Sequence, residues 1–323
     1  MLICGIKGSI NKDVKSLKNI FPSDDIHLAE DINDPLLKDV DIFVQVNLIK
    51  PKFTSLNKHQ GYEYILRSGK PKIVFESPVF RKTMYNYQRS VNSKHIRFGW
   101  NSYLYNEADF NNKNSPPDRW LKLHKEFNID NKDWKTDGKY ILLLCQKSGD
   151  SSLNSLYTNH SSYIEWVRYT VQEIKKYTDR PIVIRPHIVQ TDTLIKRLRN
   201  FAKDTTNVSI SKNFITQSNH YGGSGLQEDF KNAYCAVTYN SLSSVDAALE
   251  GIPIITLDPG AMSWPVAHHS LSQIESLDRS IDKTQWLYDT AYSQWTGTEL
   301  KTGVAWEHIK PNYEKWKLLA SQQ

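Results

Sequence analysis

Short apolar runs alternate with amphipathic stretches along most of the chain. Nearly every residue in these runs is apolar, as in strands buried on both faces of a parallel sheet. The runs cover residues 2–6, 40–46, 72–75, 140–145, 182–184, 236–239 and 252–257. Stretches with helical spacing lie between them, and in residues 163–177 the apolar positions Ile164, Val167, Val171 and Ile174 form one stripe. This alternation predicts an α/β fold with mostly parallel sheets and right-handed crossovers.

Length and turn composition predict two domains. A chain of 323 residues suits two domains of about 150 residues each. Residues 111–117 (NNKNSPP) are rich in turn formers and mark the best linker, and the run at 140–145 begins a second sheet. We predict Rossmann-like domains at 1–135 and 136–300, and a terminal segment at 301–323. Helices are expected at 284–295 and 306–319. No GxGxxG motif follows the first strand, so a dinucleotide is not inferred.

Residues 234–260 (YCAVTYNSLSSVDAALEGIPIITLDPG) carry the most distinctive pattern. They predict a strand, a polar turn at 240–244 with preferred N-cap residues, a short helix at 245–250 that ends at Gly251, and a second strand. The free N–H groups at a helix start favour an anion such as a phosphate. Asp246, in the first turn, can reach two vicinal hydroxyls such as those of a ribose. An ordinary capped strand–helix–strand turn is the alternative.

The net charge and the positions of the cysteines narrow the possible partners and the class of protein. The net charge of +6 and the isoelectric point near 8.9 are compatible with nucleic acid, an anionic membrane face or a nucleotide sugar as partner. Cys4, Cys145 and Cys235 lie in apolar runs without paired spacing, which argues against a disulfide framework and a zinc site. We expect no bound metal. No run is long enough to span a bilayer and the N-terminus lacks signal-peptide organisation, so a cytoplasmic protein is predicted.

Glu76 is the candidate catalytic base of the first half. It follows the predicted strand 72–75, and ligands of open α/β sheets bind beyond the carboxyl ends of strands. A carboxylate there can remove a proton from an acceptor hydroxyl. The alternative is a structural ion pair with Arg81 or Lys82.

Residues 83–134 are less regular and interleave aromatic with basic side chains. Basic groups that neutralise phosphates and aromatic rings that stack on bases are typical of a nucleic-acid surface. The mixture also suits a glycan acceptor, or a loop packed on the domain edge. The predicted acceptor-binding residues are Arg81, Arg97, Trp100 and Tyr103, and Tyr85, Tyr87 and Arg89 share the pattern.

Ser243-Ser244-Val245, then Asp246, then Gly251-Ile252-Pro253 resembles the nucleotide-sugar loop of GT-B glycosyltransferases. The resemblance implies two Rossmann-like domains that face a cleft, with a last helix that returns to the first domain. It also implies that Ser243 and Ser244 meet the donor diphosphate and that Asp246 holds the ribose. The family usually has Glu at that position, which is one methylene longer.

Two further motifs resemble the same family. The loop after the first strand of the second domain approaches the donor phosphates in GT-B enzymes, which makes Lys147 and Gly149 donor-binding candidates. Arg185-Pro186-His187 is similar to the basic-Pro-His element of polysaccharide and phage-type glycosyltransferases. It implies that Arg185 and His187 stabilise the departing diphosphate.

The arrangement ADFNN, PPDRW and ILLLCQ resembles phage-encoded glycosyltransferases associated with modified virion DNA bases. It implies transfer of a sugar from a nucleoside-diphosphate sugar, with UDP expected, to hydroxymethylated cytosine in double-stranded DNA in the host cytoplasm. No bound cofactor is implied beyond the nucleotide sugar as co-substrate.

Three alternatives keep the fold. The first is a glycosyltransferase with a surface glycan or lipid acceptor. The second is an epimerase of the nucleotide sugar, for which the loops at the expected cleft are poor in the required acidic residues. The third is an inactive nucleotide-sugar or DNA-binding module.

Overall fold

The structure is a computed structural model that describes residues 1–10, 14–47, 56–84, 94–214 and 225–322. The chain forms two compact units, Met1–Leu123 with Leu287–Gln323, and His124–Trp286. These bounds differ from the predicted boundaries at 135 and 300 because residues 287–300 lie in the first unit, where they add an edge strand to its sheet.

The described strands are β1 (Leu2–Ile6), β2 (Asp25–Ala29), β3 (Ile42–Val46), β4 (Lys72–Glu76), β5 (His95–Trp100), β6 (Tyr140–Leu144), β7 (Ile182–Arg185), β8 (Val208–Ile210), β9 (Ala233–Thr238), β10 (Ile254–Thr256) and β11 (Gln294–Thr296). The described helices are α1 (Val14–Ile20), α2 (Leu56–Arg67), α3 (Asp118–Phe127), α4 (Leu156–Asn159), α5 (Tyr163–Ile174), α6 (Asp192–Lys203), α7 (Leu226–Lys231), α8 (Ser243–Leu249), α9 (Thr284–Ala291), α10 (Gly297–Lys301), α11 (Val304–Ile309) and α12 (Tyr313–Ala320). Among the described residues, no helix is long and apolar enough to cross a membrane.

The first unit contains a mixed sheet in the order β11-β5-β4-β3-β1-β2. Its β2, β1, β3 and β4 strands are parallel, whereas β5 and β11 join antiparallel at one edge. The predicted helix 284–295 is therefore wrong in its last residues: α9 ends at Ala291, and Trp295 lies in β11 opposite Ile96.

The C-terminal helices pack on the core of the first unit. The Trp306 ring lies 5.2 Å from that of Phe21, and its Nε1 donates to Asp24 Oδ2 over 2.8 Å. The predicted helix 306–319 is interrupted by the 3₁₀ turn Lys310–Asn312, because Pro311 cannot donate the backbone hydrogen bond that a continuous helix needs. In α12, Lys315 pairs with Asp109 over 2.7 Å.

The second unit contains a parallel sheet in the order β10-β9-β6-β7-β8. The chain runs from β6 outwards to β7 and β8, and then returns to place β9 on the other side of β6. The strand order therefore reverses between β6 and β9. Such a reversal opens a crevice beyond the carboxyl ends of the two strands, where ligands of open α/β sheets bind.

The three cysteines are free and buried, as their apolar surroundings predict. Burial raises the pKa of Cys145 and that of Cys235 to about 12, so both thiols are protonated at neutral pH. In the described ranges, no group of three or more His, Cys, Asp or Glu side chains is placed to hold a metal ion.

Candidate functional site

Two loops meet at the strand-order reversal of the second unit. The loop after β6 contains Lys147 and Gly149, and the loop after β9 leads into α8, which begins with Ser243 and Ser244 and carries Asp246 in its first turn. Because β6 and β9 are parallel neighbours, both loops leave the sheet at the same edge. The structure thus brings the five predicted donor-binding residues to one edge of one sheet.

Gln146 and Asn240 join these two loops. Gln146 Nε2 donates to Asn240 Oδ1 over 2.7 Å, and the Asn240 backbone N–H donates to Gln146 Oε1 over 3.1 Å. Both side chains are buried, and Gln146 also bonds Ser152 Oγ over 3.0 Å. Sequence reasoning did not assign a role to either residue, although each is the polar residue that directly follows a predicted apolar run, 140–145 or 236–239.

Asp258 extends this connection to the loop after β10. Its Oδ1 accepts from Asn240 Nδ2 over 2.8 Å and from the Gly260 N–H over 2.9 Å. Its Oδ2 accepts from Ser155 Oγ over 3.0 Å. The loops after three neighbouring strands are therefore held in one hydrogen-bond network, which fixes the shape of the crevice edge.

Gly149 lies beside open space. Its φ of +74° is in the region that favours glycine, and a Cβ there would meet nothing within 4 Å. Its N–H donates to Tyr157 Oη over 2.9 Å, and the neighbouring Lys147 is exposed. The local geometry leaves room for a ligand next to the loop and places a cation within that loop.

Ser244 is not placed as the family resemblance implies. Its side chain is fully buried, with Oγ donating to the Ser241 carbonyl over 2.6 Å and sharing a second 2.6 Å hydrogen bond with Ser263. Ser243 is half-buried, and its backbone N–H donates to Ser241 Oγ over 3.2 Å. The expected polar N-cap is absent, because α8 starts two residues earlier than predicted and Leu242 occupies the cap position.

Asp246 and Gly251 mark the two ends of α8. Asp246 is half-buried in the first turn. Gly251 follows the helix with a φ of +75°, and a Cβ there would lie 2.0 Å from the Asp133 carbonyl oxygen. Only glycine fits both the conformation and the space, which confirms the predicted end of the helix.

Arg185 is part of a buried ion pair. It is 5% exposed, and its Nη1 donates to Asp229 Oδ2. Asp229 also accepts from Ser211 Oγ and Asn213 Nδ2, each over 2.8 Å. The guanidinium thus neutralises an internal carboxylate, which argues against the predicted role in stabilising a departing diphosphate. This partner, 44 residues away in the sequence, could not be identified from the local motif.

His187 lies in a half-buried turn after β7, as predicted. Its Nδ1 accepts from the Val189 N–H over 3.2 Å, so the neutral imidazole carries its proton on Nε2. Gln190, in the same turn, donates from Nε2 to the Gln146 carbonyl over 2.7 Å and accepts from the Ser148 N–H over 3.3 Å. The turn that contains His187 is therefore attached to the loop that contains Lys147.

Glu76 lies at the carboxyl end of β4 in the first unit. It is half-buried, and its Oε1 accepts from the Ser77 N–H over 2.7 Å. It pairs in register with Arg97 of β5. Burial raises the pKa of Tyr62 to about 12, and the charge of Glu76 adds to this shift. Glu76 thus lies near both Tyr62 and Arg97.

Three of the four predicted acceptor-binding residues are in the core of the first unit. Arg97 is 2% exposed, with Nε donating to the Ser77 carbonyl over 3.1 Å and Nη1 to the Tyr103 carbonyl over 2.6 Å. Trp100 is fully buried and donates to the Ile309 carbonyl over 2.8 Å. Tyr103 is also buried. Arg97, Trp100 and Tyr103 therefore do not form the predicted acceptor-binding surface. Arg81 lies half-buried in the 3₁₀ turn Arg81–Thr83.

Three residues of the predicted aromatic–basic pattern lie outside the described residues: Tyr85, Tyr87 and Arg89.

No protein-family model and no curated protein matches this sequence. Among solved structures, the KpsC β-Kdo 2,4 transferase of Thermosulfurimonas dismutans aligns with a TM-score of 0.54 at 12% identity and covers 90% of each chain. The β-Kdo 2,7 transferase of the same protein has a TM-score of 0.46 at 13% identity, covering 97% of this chain and 100% of that one. The UDP-GlcNAc 2-epimerase of Methanocaldococcus jannaschii has a TM-score of 0.39 at 12% identity, covering 94% and 98%. The first likeness, with the two sheets described above, shows that this chain has a GT-B-type fold of two Rossmann-like α/β units.

Proposed function

We propose that this chain transfers a sugar from a nucleoside-diphosphate sugar, with UDP as the expected nucleotide, to a hydroxyl group. One observation carries the proposal: the two loops that resemble the GT-B nucleotide-sugar motifs lie at the strand-order reversal of one sheet, joined by Gln146 and Asn240. The fold likeness to a chain described as a Kdo transferase supports the same reaction class.

In this proposal the donor lies along the edge formed by the loops after β6, β7 and β9. Lys147 balances the diphosphate charge, and the space beside Gly149 admits the phosphates. Asp246 accepts hydrogen bonds from the ribose hydroxyls. Ser243 lies half-buried at the start of α8, next to the proposed phosphate position, whereas the Ser244 hydroxyl and the backbone N–H groups of both serines already make hydrogen bonds within the protein.

The proposed chemistry depends on stabilising the departing diphosphate. His187 can donate from Nε2, because its Nδ1 accepts a backbone hydrogen bond. Preorganised donors and charges at a leaving group are often the largest catalytic contribution. Arg185 supports this edge through its ion pair with Asp229. Glu76 is the proposed base if the acceptor hydroxyl must be deprotonated.

The acceptor has two candidates. The sequence resemblance favours hydroxymethylated cytosine in double-stranded DNA, and the net charge of +6 is compatible with it. The second candidate is a surface glycan or lipid. The burial of Arg97, Trp100 and Tyr103 removes three predicted contacts to either acceptor.

A donor and acceptor panel with mass detection tests the proposal. The purified chain is incubated with UDP, GDP and ADP sugars, and with hydroxymethylcytosine DNA, plain DNA or a neutral polysaccharide. We expect one acceptor to gain the mass of one sugar with release of one nucleotide. Gain on modified DNA alone supports the first acceptor, and gain on the polysaccharide alone supports the second. Donor binding without any transfer would instead identify an inactive binding module, and absence of donor binding would overturn the proposal.

A further inference from the structure

A groove of about 700 Å³ runs along one side of α5 in the second unit. We name it the α5 groove; its lining includes Trp166, Tyr169, Tyr177, Tyr239 and His269. Its volume lies within the range of about 300–1,000 Å³ that is typical of small-ligand sites. None of the candidate donor residues is among the described residues that line it.

The charge of the groove restricts its ligand. Glu165 and Glu173 are among its lining residues, and no lysine or arginine is found among those that the structure describes there. Lys176 lies at the side of Glu173, with which it pairs. Nearby carboxylates repel a phosphate or nucleic acid, and cationic side chains are its strongest partners. The groove therefore disfavours anionic ligands such as a nucleotide or DNA.

Two of the aromatic side chains that line the groove are substantially exposed. Tyr169 is 51% exposed and Tyr177 is 43% exposed. The Tyr169 ring lies 5.3 Å from the His160 ring. Deeper in the groove, Trp166 and Tyr239 meet edge to face at 6.0 Å. Exposed rings of this kind stack on the apolar faces of a ligand.

Polar groups accompany these rings. Asn159, Ser270 and Ser272 line the groove together with the two carboxylates. Thr170 lies there too; it is 1% exposed, and its hydroxyl has no hydrogen-bond partner. Asn159, Ser270, Ser272 and the carboxylates offer hydrogen-bonding groups to a ligand, whereas the unpartnered Thr170 hydroxyl, which is costly to bury, has almost no accessible surface.

His269 has a fixed orientation at the rim of the groove. Its ring stacks on that of Trp264 with centroids 3.5 Å apart and planes 14° apart. Burial and the nearby His268 lower the pKa of His269, so its imidazole is neutral at physiological pH. The rim therefore adds an uncharged imidazole that stacks on Trp264.

We propose that the α5 groove binds a neutral oligosaccharide. Sugar rings have apolar C–H faces that stack on aromatic side chains, and hydroxyl groups that pair with carboxylates and amides. This combination matches the exposed tyrosines, the two glutamates and Asn159, and it needs no cation. The proposal does not depend on the transfer reaction, since the groove can hold a glycan whether or not the chain is an enzyme.

Ligand-observed NMR and tryptophan fluorescence on the full chain test this site. The probes are maltotriose, cellotriose and triacetylchitotriose, with a heparin tetrasaccharide as the anionic comparator. We expect at least one neutral probe to bind and the anionic one to bind more weakly. Tyr169→Ala should weaken binding about five- to tenfold, which is the effect of removing one stacked ring. Tyr169→Phe keeps the ring and should retain the affinity within about twofold.

Tyr105→Ala is the matched control, because Tyr105 is 41% exposed in the first unit. It should leave the affinity unchanged, and thermal unfolding should show all three variants folded. UDP binding should be the same in Tyr169→Ala as in the parent chain, which separates this groove from the candidate donor site. Failure of every neutral probe to bind at up to about 10 mM, stronger binding of the anionic probe, or equal loss in Tyr105→Ala would overturn the proposal.

Discussion

Asn240 and Gln146 form a reciprocal pair of hydrogen bonds across the strand-order reversal of the second unit. The Gln146 amide nitrogen donates to the Asn240 side-chain oxygen, and the Asn240 backbone N–H returns a bond to the Gln146 side-chain oxygen. The two residues are 94 positions apart in the sequence. Because both are buried, the pair fixes the separation of the two loops from which the proposed donor site is built.

Asn240→Ala should therefore cost stability as well as donor affinity. The substitution leaves Gln146 Nε2 with one partner fewer and removes the Asn240 donor from Asp258. We expect a loss of about 2–4 kcal/mol in the free energy of unfolding, together with weaker nucleotide-sugar binding. Denaturant unfolding and calorimetry measure the two effects. Asn200→Ala, at an exposed position of α6, is the control and should change neither. An equally stable Asn240→Ala chain would show that the network does not hold the loops.

Substitutions of Arg185 and Asp229 test whether Arg185 has a structural or a catalytic role. Asp229→Asn leaves the buried guanidinium without its counter-charge and should cost about 3–5 kcal/mol in the free energy of unfolding. Arg185→Met with Asp229→Leu removes both charges and should recover most of that loss. Equilibrium unfolding of the three chains gives the comparison.

The kinetics of the double variant distinguish the two roles of Arg185. A structural role predicts that the refolded double variant keeps most of its turnover per folded molecule. A leaving-group role predicts a large fall in kcat with little change in stability. The second result would restore the role that the sequence motif suggested for Arg185.

Most of the parallel strands were predictable because their physical signal is local; the half-exposed edge strand β2 was missed. A strand buried on both faces is apolar at nearly every position, and residues 140–145 predict β6 (Tyr140–Leu144) to within one residue. β5 was missed because Arg97 and His95 interrupt its pattern. Arg97 is buried only because the carbonyls of Ser77 and Tyr103 accept its N–H groups, and those contacts exist only after folding.

The candidate site was predictable in part for the same reason. The positions of Lys147, His187 and Asp246 follow from strand ends, which the sequence shows. The sequence does not show the hydrogen bonds that determine which of these side chains remain available to a ligand. The Ser244 hydroxyl is bonded to Ser263, and the Arg185 guanidinium to Asp229; both partners come from later elements.

A comparison of Gly149 with Gly251 separates two contributions to the free energy of unfolding. One is the cost of a side chain at positive φ, and the other is the cost of its overlap with a neighbouring atom. Their φ angles are +74° and +75°, but a Cβ at Gly149 meets open space, whereas one at Gly251 would overlap the Asp133 carbonyl. Gly149→Ala should cost about 1–2 kcal/mol in the free energy of unfolding. Gly251→Ala should cost about 1–3 kcal/mol more, because the backbone must shift. Parallel denaturant titrations measure the difference, and equal losses would contradict this account of Gly251.

Glu299 should contribute to stability above about pH 4.5 and lose that contribution in acid. Burial alone would raise its pKa, but bonds from Arg119 and Thr296 lower the pKa of Glu299 to about 2 from the usual 4.5. Its folded pKa lies below the unfolded one, so the stabilisation is complete above pH 4.5 and disappears as the pH falls through 2. The carboxylate is partly exposed, so we expect a contribution of about 1–2 kcal/mol.

Glu299→Gln tests this by unfolding at pH 7 and at acidic pH. The variant should be less stable at pH 7, and the difference from the parent chain should shrink towards pH 2. Glu314→Gln, at an exposed position of α12, is the control and should show no such convergence. A difference in the free energy of unfolding that stays constant across this pH range would contradict the prediction. It would mean that the Arg119–Glu299 ion pair does not determine how stability falls in acid.

Asp246 is predicted to recognise the ribose of the donor, and a pair of nucleotides tests this specifically. UDP and 2′-deoxy-UDP differ by the single hydroxyl that a ribose-binding carboxylate would accept from. The parent chain should prefer UDP by about tenfold or more, the value of a hydrogen bond to a charged group. Asp246→Ala should remove most of that preference, and Asp246→Glu, the residue usual in the resembled family, should retain it. Asp179→Ala changes an exposed carboxylate just before β7, at the opposite edge of the sheet, and should have no effect. Isothermal titration gives the affinity of each of the four chains for both nucleotides, and a preference for UDP that persists in Asp246→Ala would mean that another residue holds the ribose.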